Sequence, residues 1–168
     1  MITVEYCRMM ARYNAWQNRG LMEAMKSLKT AELTKDRKAF FGSIFGTANH
    51  LLWADRLWMS RFDGRLAPKG GIADSTTLHD NLQLYLGDRM RTDAQITRWA
   101  AGLKQIGLYG PLTWYSGAAG RQMSEPKAVC ITHFFNHQTH HRGQIHAMLT
   151  AAGHNPGDTD LVFMPDDA

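Results

Sequence analysis

Between Pro126 and Gly153 the chain carries apolar side chains at helical spacing, and this stretch narrows the choice of fold more than any other. Phe134, Ile145, Met148, Leu149 and Ala152 share one face when successive residues turn by about 100° around a helix. A proline suits the start of a helix and a glycine the residue after its end, so Pro126 and Gly153 mark the two limits. A helix that is apolar on one side has to cover that side with other elements. The chain supplies three more of the same kind. Ile2, Tyr6, Met9, Met10, Tyr13, Leu21, Ala24 and Leu28 recur at helical spacing from about Ile2 to Leu28. Ser43 is placed to cap a second helix running to about Phe62, with Ile44, Ala48, Leu51, Trp58 and Phe62 on its apolar face. Thr76 or Thr77 opens a third, to about Leu103.

The connections are of different kinds. "KTAELTKDRKAFFGS" breaks the periodicity and reads as a link with room for a short turn of helix. "DGRLAPKGGIADSTT" is a loop by its glycines and prolines. "LTWYSGAAGRQMSEP" puts aromatic and β-forming residues on both sides of a glycine-rich turn, which predicts a short β-hairpin. The tail "HNPGDTDLVFMPDDA" is irregular. The expectation is an all-α single domain over residues 1–168: an up-down-type four-helix bundle with one long crossover and a short hairpin before the last helix.

Composition excludes several functions. The chain of 168 residues is 44% apolar and 20% charged, a globular balance. Its net charge of +4 comes from scattered Lys and Arg rather than a basic stripe, so no nucleic-acid partner is expected. No stretch approaches the ~18 apolar residues of a membrane span, and the N-terminus has no apolar core of a signal peptide. Cys7 and Cys130 stand far apart and form no disulfide framework, which fits a reducing, cytoplasmic setting.

The last helix contains "HFFNHQTHHRGQIH", five of the chain's eight histidines. His133, His137, His140 and His141 form a stripe beside the apolar face, and His146 points nearly the opposite way. Within the stripe His141 lies closest to the apolar face and His137 next; His133 and His140 lie further towards solvent. His137 and His141 are one turn apart, a spacing that lets two imidazoles converge on one ion. His50, at the edge of the apolar face of the second helix, is a candidate third ligand. Three neutral nitrogens leave a divalent ion at least one open position for water or substrate.

Other residues weigh on this reading. Asp55 falls in the middle of an apolar face and needs a cationic partner, for which Arg142 and Arg12 are the candidates. Gln144 shares the histidine side and is placed to bond a group behind the ligands. Trp16, Trp53 and Trp58 read as core or pocket wall, and Met9, Met10, Met22 and Met25 as adaptable core filling. Cys130 faces the histidine side but sits seven residues before His137, roughly 10 Å along the axis, and is rejected as a ligand.

Taken together, "ARYNAWQNRGLMEAM", "ANHLLWADRLWMSRF" and "HFFNHQTHHRGQIHAMLTAAGHNPGDTDLVF" resemble the DinB-like family (DinB/YfiT superfamily) of bacterial metal-binding four-helix bundles. The last segment carries the resemblance most specifically, through its HHRGQ stretch and its Gly-x-x-Pro and Thr-Asp tail. The resemblance implies ligands at His50, His137 and His141, a divalent ion (zinc or nickel above all) and a homodimer. It also implies a metal-dependent enzyme, either a thiol-dependent transferase using a low-molecular-weight thiol or a hydrolase, acting on a small molecule. The alternative is a non-catalytic bundle in which the metal pins helices, or which binds a small ligand or partner.

Overall fold

The computed structural model describes residues 2–168. Four long helices carry the fold: α1 (Val4–Lys26), α3 (Ile44–Asp63), α4 (Leu82–Gly102) and α5 (Lys127–Ala151). A short α2 (Thr30–Thr34) lies in the first connection. Strands β1 (Pro111–Ser116) and β2 (Arg121–Pro126) pair antiparallel and deliver the chain into α5. The expected all-α bundle with a hairpin before its last helix is what the chain forms.

Local chemistry sets the helix starts. Thr3 and Ser43 each accept a backbone N–H three residues on, from Tyr6 and Gly46, which satisfies a donor the helix itself leaves free. α4 starts later than Thr76 or Thr77: Asn81 is its cap, accepting from Leu84 N–H at 3.0 Å. Thr76 and Thr77 belong instead to a 3-10 turn, Ile72–Thr77, packed on α3. Asn49 of α3 holds this turn by donating to the carbonyls of Thr76 and His79, which draws those residues away from α4. α5 ends at Ala151, and Gly153 follows with φ +84°, a backbone turn that favours glycine.

α1 packs against α4 and α5, and α3 against the same two. α1 and α5 run in one direction, α3 and α4 in the other, because the long crossover carries the chain back along the bundle between α3 and α4. The core is split into two apolar halves. One gathers Leu21, Met25, Ile44, Leu52, Ile145 and Leu149; the other Cys7, Ala11, Met59, Ile96, Ile131 and Phe135. Between them every long helix contributes a polar residue from its middle turns: Asn14 and Asn18, Asp55, Arg89 and Asp93, Gln138 and Arg142, all buried.

This layer corrects two expectations. The partner of Asp55 is neither Arg142 nor Arg12. Arg89 donates to it at 2.7 Å, with a second guanidinium nitrogen on Asp93 at 2.7 Å, and Gln138 donates to the other Asp55 oxygen at 3.0 Å. Arg142 donates to Asn14 and Thr139, while Arg12 reaches out to the tail carbonyls of Pro165, Asp166 and Ala168. The buried face of α1 is also rotated from the apolar reading. It runs Cys7, Ala11, Asn14, Asn18, Leu21, Met25, and leaves Met9 36% exposed at the rim, because two asparagines occupy core positions.

The tail folds back over α1. Gln17 and Tyr13 donate to the carbonyls of Asp158 and Thr159, and a Cβ on Gly20 would meet the Pro156 carbonyl oxygen at 2.5 Å, so only glycine admits this approach. Among the described residues no helix is long and apolar enough to cross a membrane.

Candidate metal centre

α3 and α5 lie side by side and antiparallel, which brings the first half of α3 to the second half of α5. His50 therefore faces the turn of α5 that carries His137 and His141. One ring nitrogen from each of the three lies within 4.8 Å of the others. His50 and His141 are buried and His137 is half-buried. The Nε2 atoms of His137 and His141 stand 3.1 Å apart. Among the described residues no further His, Cys, Asp or Glu joins the group.

The hydrogen bonds behind the rings decide what the rings present. Ser75 spends its hydroxyl proton on the Ile72 carbonyl at 2.6 Å, so its oxygen accepts from His50 Nδ1–H at 2.9 Å. Gln144 Oε1 can only accept, so His141 Nδ1–H donates to it at 2.8 Å. Both bonds put the proton on Nδ1 and leave Nε2 as a bare lone pair. Two of the three rings are thus fixed as donors to whatever lies between them, and such a donor set suits a divalent cation.

Electrostatics point the same way. Burial pushes His50 down to about 4, with the neighbouring His141 adding to the effect. Burial lowers His137 to about 3, helped by His141, His50 and His133. His141 is lowered by burial too, although its bond to Gln144 opposes the shift. At neutral pH all three are uncharged, the form a metal ion requires.

Aromatic rings wall the centre. Phe41, from the link after α2, stacks on His50 with centroids 3.8 Å apart, and Trp53 flanks the same ring at 6.2 Å. Trp53 thus serves as wall, while the partly buried Trp58 packs against the other half of the core. The remaining histidines stay outside the trio. His133 and His140 are exposed, although His133 rests on Trp58, and His146 contacts the Gly157 carbonyl on the far side of α5. Cys130 is buried and takes no part in the group. Ser75 and Phe41 escaped the sequence reading. Both lie in connections, where no periodicity reports which side chains turn inward.

A helical bundle that aims three neutral imidazoles at one point defines a class: a helical-bundle protein whose histidine cluster could hold a metal ion. The chain belongs to the DinB family, whose family model matches residues 1–168. It is similar to Protein DinB of Bacillus subtilis (strain 168), 27% identical over 161 residues, covering 88% of this chain and 87% of that protein. No solved structure matches it significantly.

Proposed function

We propose that the chain is a metal-dependent enzyme whose ion, zinc or nickel, is held by His50, His137 and His141. The observation that carries this reading is the pair of bonds from Ser75 and Gln144, which spend the Nδ1 protons and turn two Nε2 lone pairs inward. A bound divalent ion would supply Lewis acidity, lowering the pKa of a water or thiol at its open position. The chain's own residues supply the rest. Three neutral ligands add no negative charge, so the site favours an anionic nucleophile, a hydroxide or a thiolate. Phe41 and Trp53 keep bulk water from one side of His50 and form an apolar wall for a small substrate. Among the described residues no further His, Cys, Asp or Glu joins the trio, so the chain sets no carboxylate or thiol beside it as a general base. The reactions that fit are thiol-dependent transfer and hydrolysis.

Cobalt substitution tests this. Cobalt-loaded protein should show a visible spectrum that changes saturably on adding a small thiol. A spectrum indifferent to thiols, azide and pH would make the metal structural. A response to pH without one to thiols would favour hydrolysis over thiol transfer.

A further inference from the structure

Arg61 is an unusual cation. It lies in the last turn of α3, half-buried, with its guanidinium carbon 4.4 Å from the Trp58 ring centre and 5.2 Å from that of Trp114 on β1. The two indoles touch each other, with centroids 5.5 Å apart. Among the described residues Arg61 has no ion pair and no hydrogen bond. Its sequence neighbour Asp63 is taken by Arg65 at 2.7 Å. Burial works against the Arg61 charge, and no carboxylate offsets it. A guanidinium clamped by stacking, with its donors unspent, is prepared for an anion that the protein itself does not provide.

Its position links it to the histidine trio. Eleven residues separate His50 and Arg61, three turns and about 20°, so both lie on one face of α3 at about 16 Å along the axis. Helical side chains lean towards the N-terminus, which aims Arg61 back towards His50. The space between is bridged by rings: Trp58 rests on His133 at 5.1 Å, and His133 on His137 at 5.6 Å. One stripe along the α3–α5 seam thus starts at the histidine trio, passes over the flat rings of His133 and Trp58 and ends at an unpaired cation.

We propose that Arg61 is a specificity-determining residue that binds the remote anionic group, carboxylate or phosphate, of an elongated substrate whose reacting end lies at the histidine trio. The proposal rests on the metal-enzyme reading for that reacting end. The β-hairpin gains a role in it, since Trp114 forms the outer half of the clamp.

The test uses ω-mercaptoalkanoates of two, six and eleven carbons, each beside its methyl ester, titrated into cobalt-loaded protein with the visible spectrum as readout. The six- or eleven-carbon acid should bind about tenfold tighter than its ester, and the two-carbon acid, too short to reach Arg61, about equally. The preference should vanish in Arg61→Gln, survive in part in Arg61→Lys, and leave ester binding unchanged throughout. A matching ω-mercaptoalkyl phosphate identifies which anion is preferred. Equal binding of long acids and esters, or a preference that persists in Arg61→Gln, overturns the proposal. If the cobalt spectrum ignores every thiol the optical readout is lost, and if it ignores azide and pH as well the metal-enzyme reading fails by itself. Calorimetry with the same acid–ester pairs on metal-free protein then decides Arg61 by the same criteria.

Discussion

The histidine trio and the polar belt of the core occupy neighbouring sides of the same turns of α5, yet they solve opposite problems. Gln138 and Arg142 point into the belt; His137 and His141 point into the α3–α5 groove beside it. The belt balances its own charges. Asp55 and Asp93 share Arg89, Asn14 and Asn18 add donors, and Arg142 caps Asn14. Burial raises both carboxyls above the usual range, and Arg89 between them offsets part of that cost. Of the belt's fully buried side-chain atoms, only Arg89 Nε and Gln138 Oε1 go without a partner. The trio carries no charge, and its inward nitrogens share a single contact, His137 Nε2 to His141 Nε2 at 3.1 Å, while among the described residues His50 Nε2 has no hydrogen bond. Polar groups that satisfy themselves hold helices together; polar groups that converge with lone pairs to spare call for a ligand.

Several perturbations should break or sharpen that contrast. His137→Ala or His141→Ala should abolish metal binding, read as metal per chain after purification without chelator, while metal-free stability moves by only about 1 kcal/mol. Retention of metal by either variant would dismantle the trio. Arg89→Leu should do the reverse. It strands two buried carboxylates, so a loss of about 3–5 kcal/mol in chemical denaturation is expected, with metal binding kept by the molecules that fold. Asp55→Ala should cost about 3 kcal/mol by the same logic. If either variant melts like the parent, the belt is not what holds the helices in register.

Ser75→Ala separates orientation from ligation. It removes the acceptor behind His50 together with one local bond to the Ile72 carbonyl, so metal affinity should fall about 10–100-fold with a much smaller change in stability. An unchanged affinity would mean that Phe41 stacking alone positions the ring. Another effect comes from pH. In the metal-free protein His50 titrates at about 4 and His137 at about 3, against 6.5 for an ordinary histidine. Between those values the unfolded chain binds more protons than the folded one. Stability should therefore decline as pH falls from 6.5 towards 4, by about 2 kcal/mol for each of the two groups at pH 5, and stay level above 6.5 as far as these groups are concerned. Urea titrations at pH 5 and 7.5 read it directly, and added metal should displace the loss to lower pH. Smallest of all, His140→Ala and His146→Ala should leave metal content unchanged, since one ring is exposed and the other lies across α5.

The convergence of His137 and His141 was legible because a regular helix converts sequence spacing directly into side-chain direction. The belt was legible only in part. Asp55 stands out as a charge on an apolar face, but apolar periodicity marks none of Asn14, Asn18, Arg89, Asp93 and Gln138. A ladder of threes and fours drawn through polar positions would have shown them: Cys7–Ala11–Asn14–Asn18–Leu21–Met25 on α1, and Ile131–Phe135–Gln138–Arg142–Ile145–Leu149 on α5. Reading apolar residues alone turned the α1 wheel and put Met9 in the core.

The sequence by itself determined the four helices, the hairpin, and which histidines of α5 could act together, because each rests on local periodicity and on caps a few residues away. The tertiary structure alone decided that Arg89 and not Arg142 answers Asp55, that Ser75 stands behind His50, and that Phe41 stacks on His50 and Trp114 on Trp58. Those pairings join residues on different helices and in long connections. Helix spacing states where a side chain points, but only the packed bundle decides what it meets there.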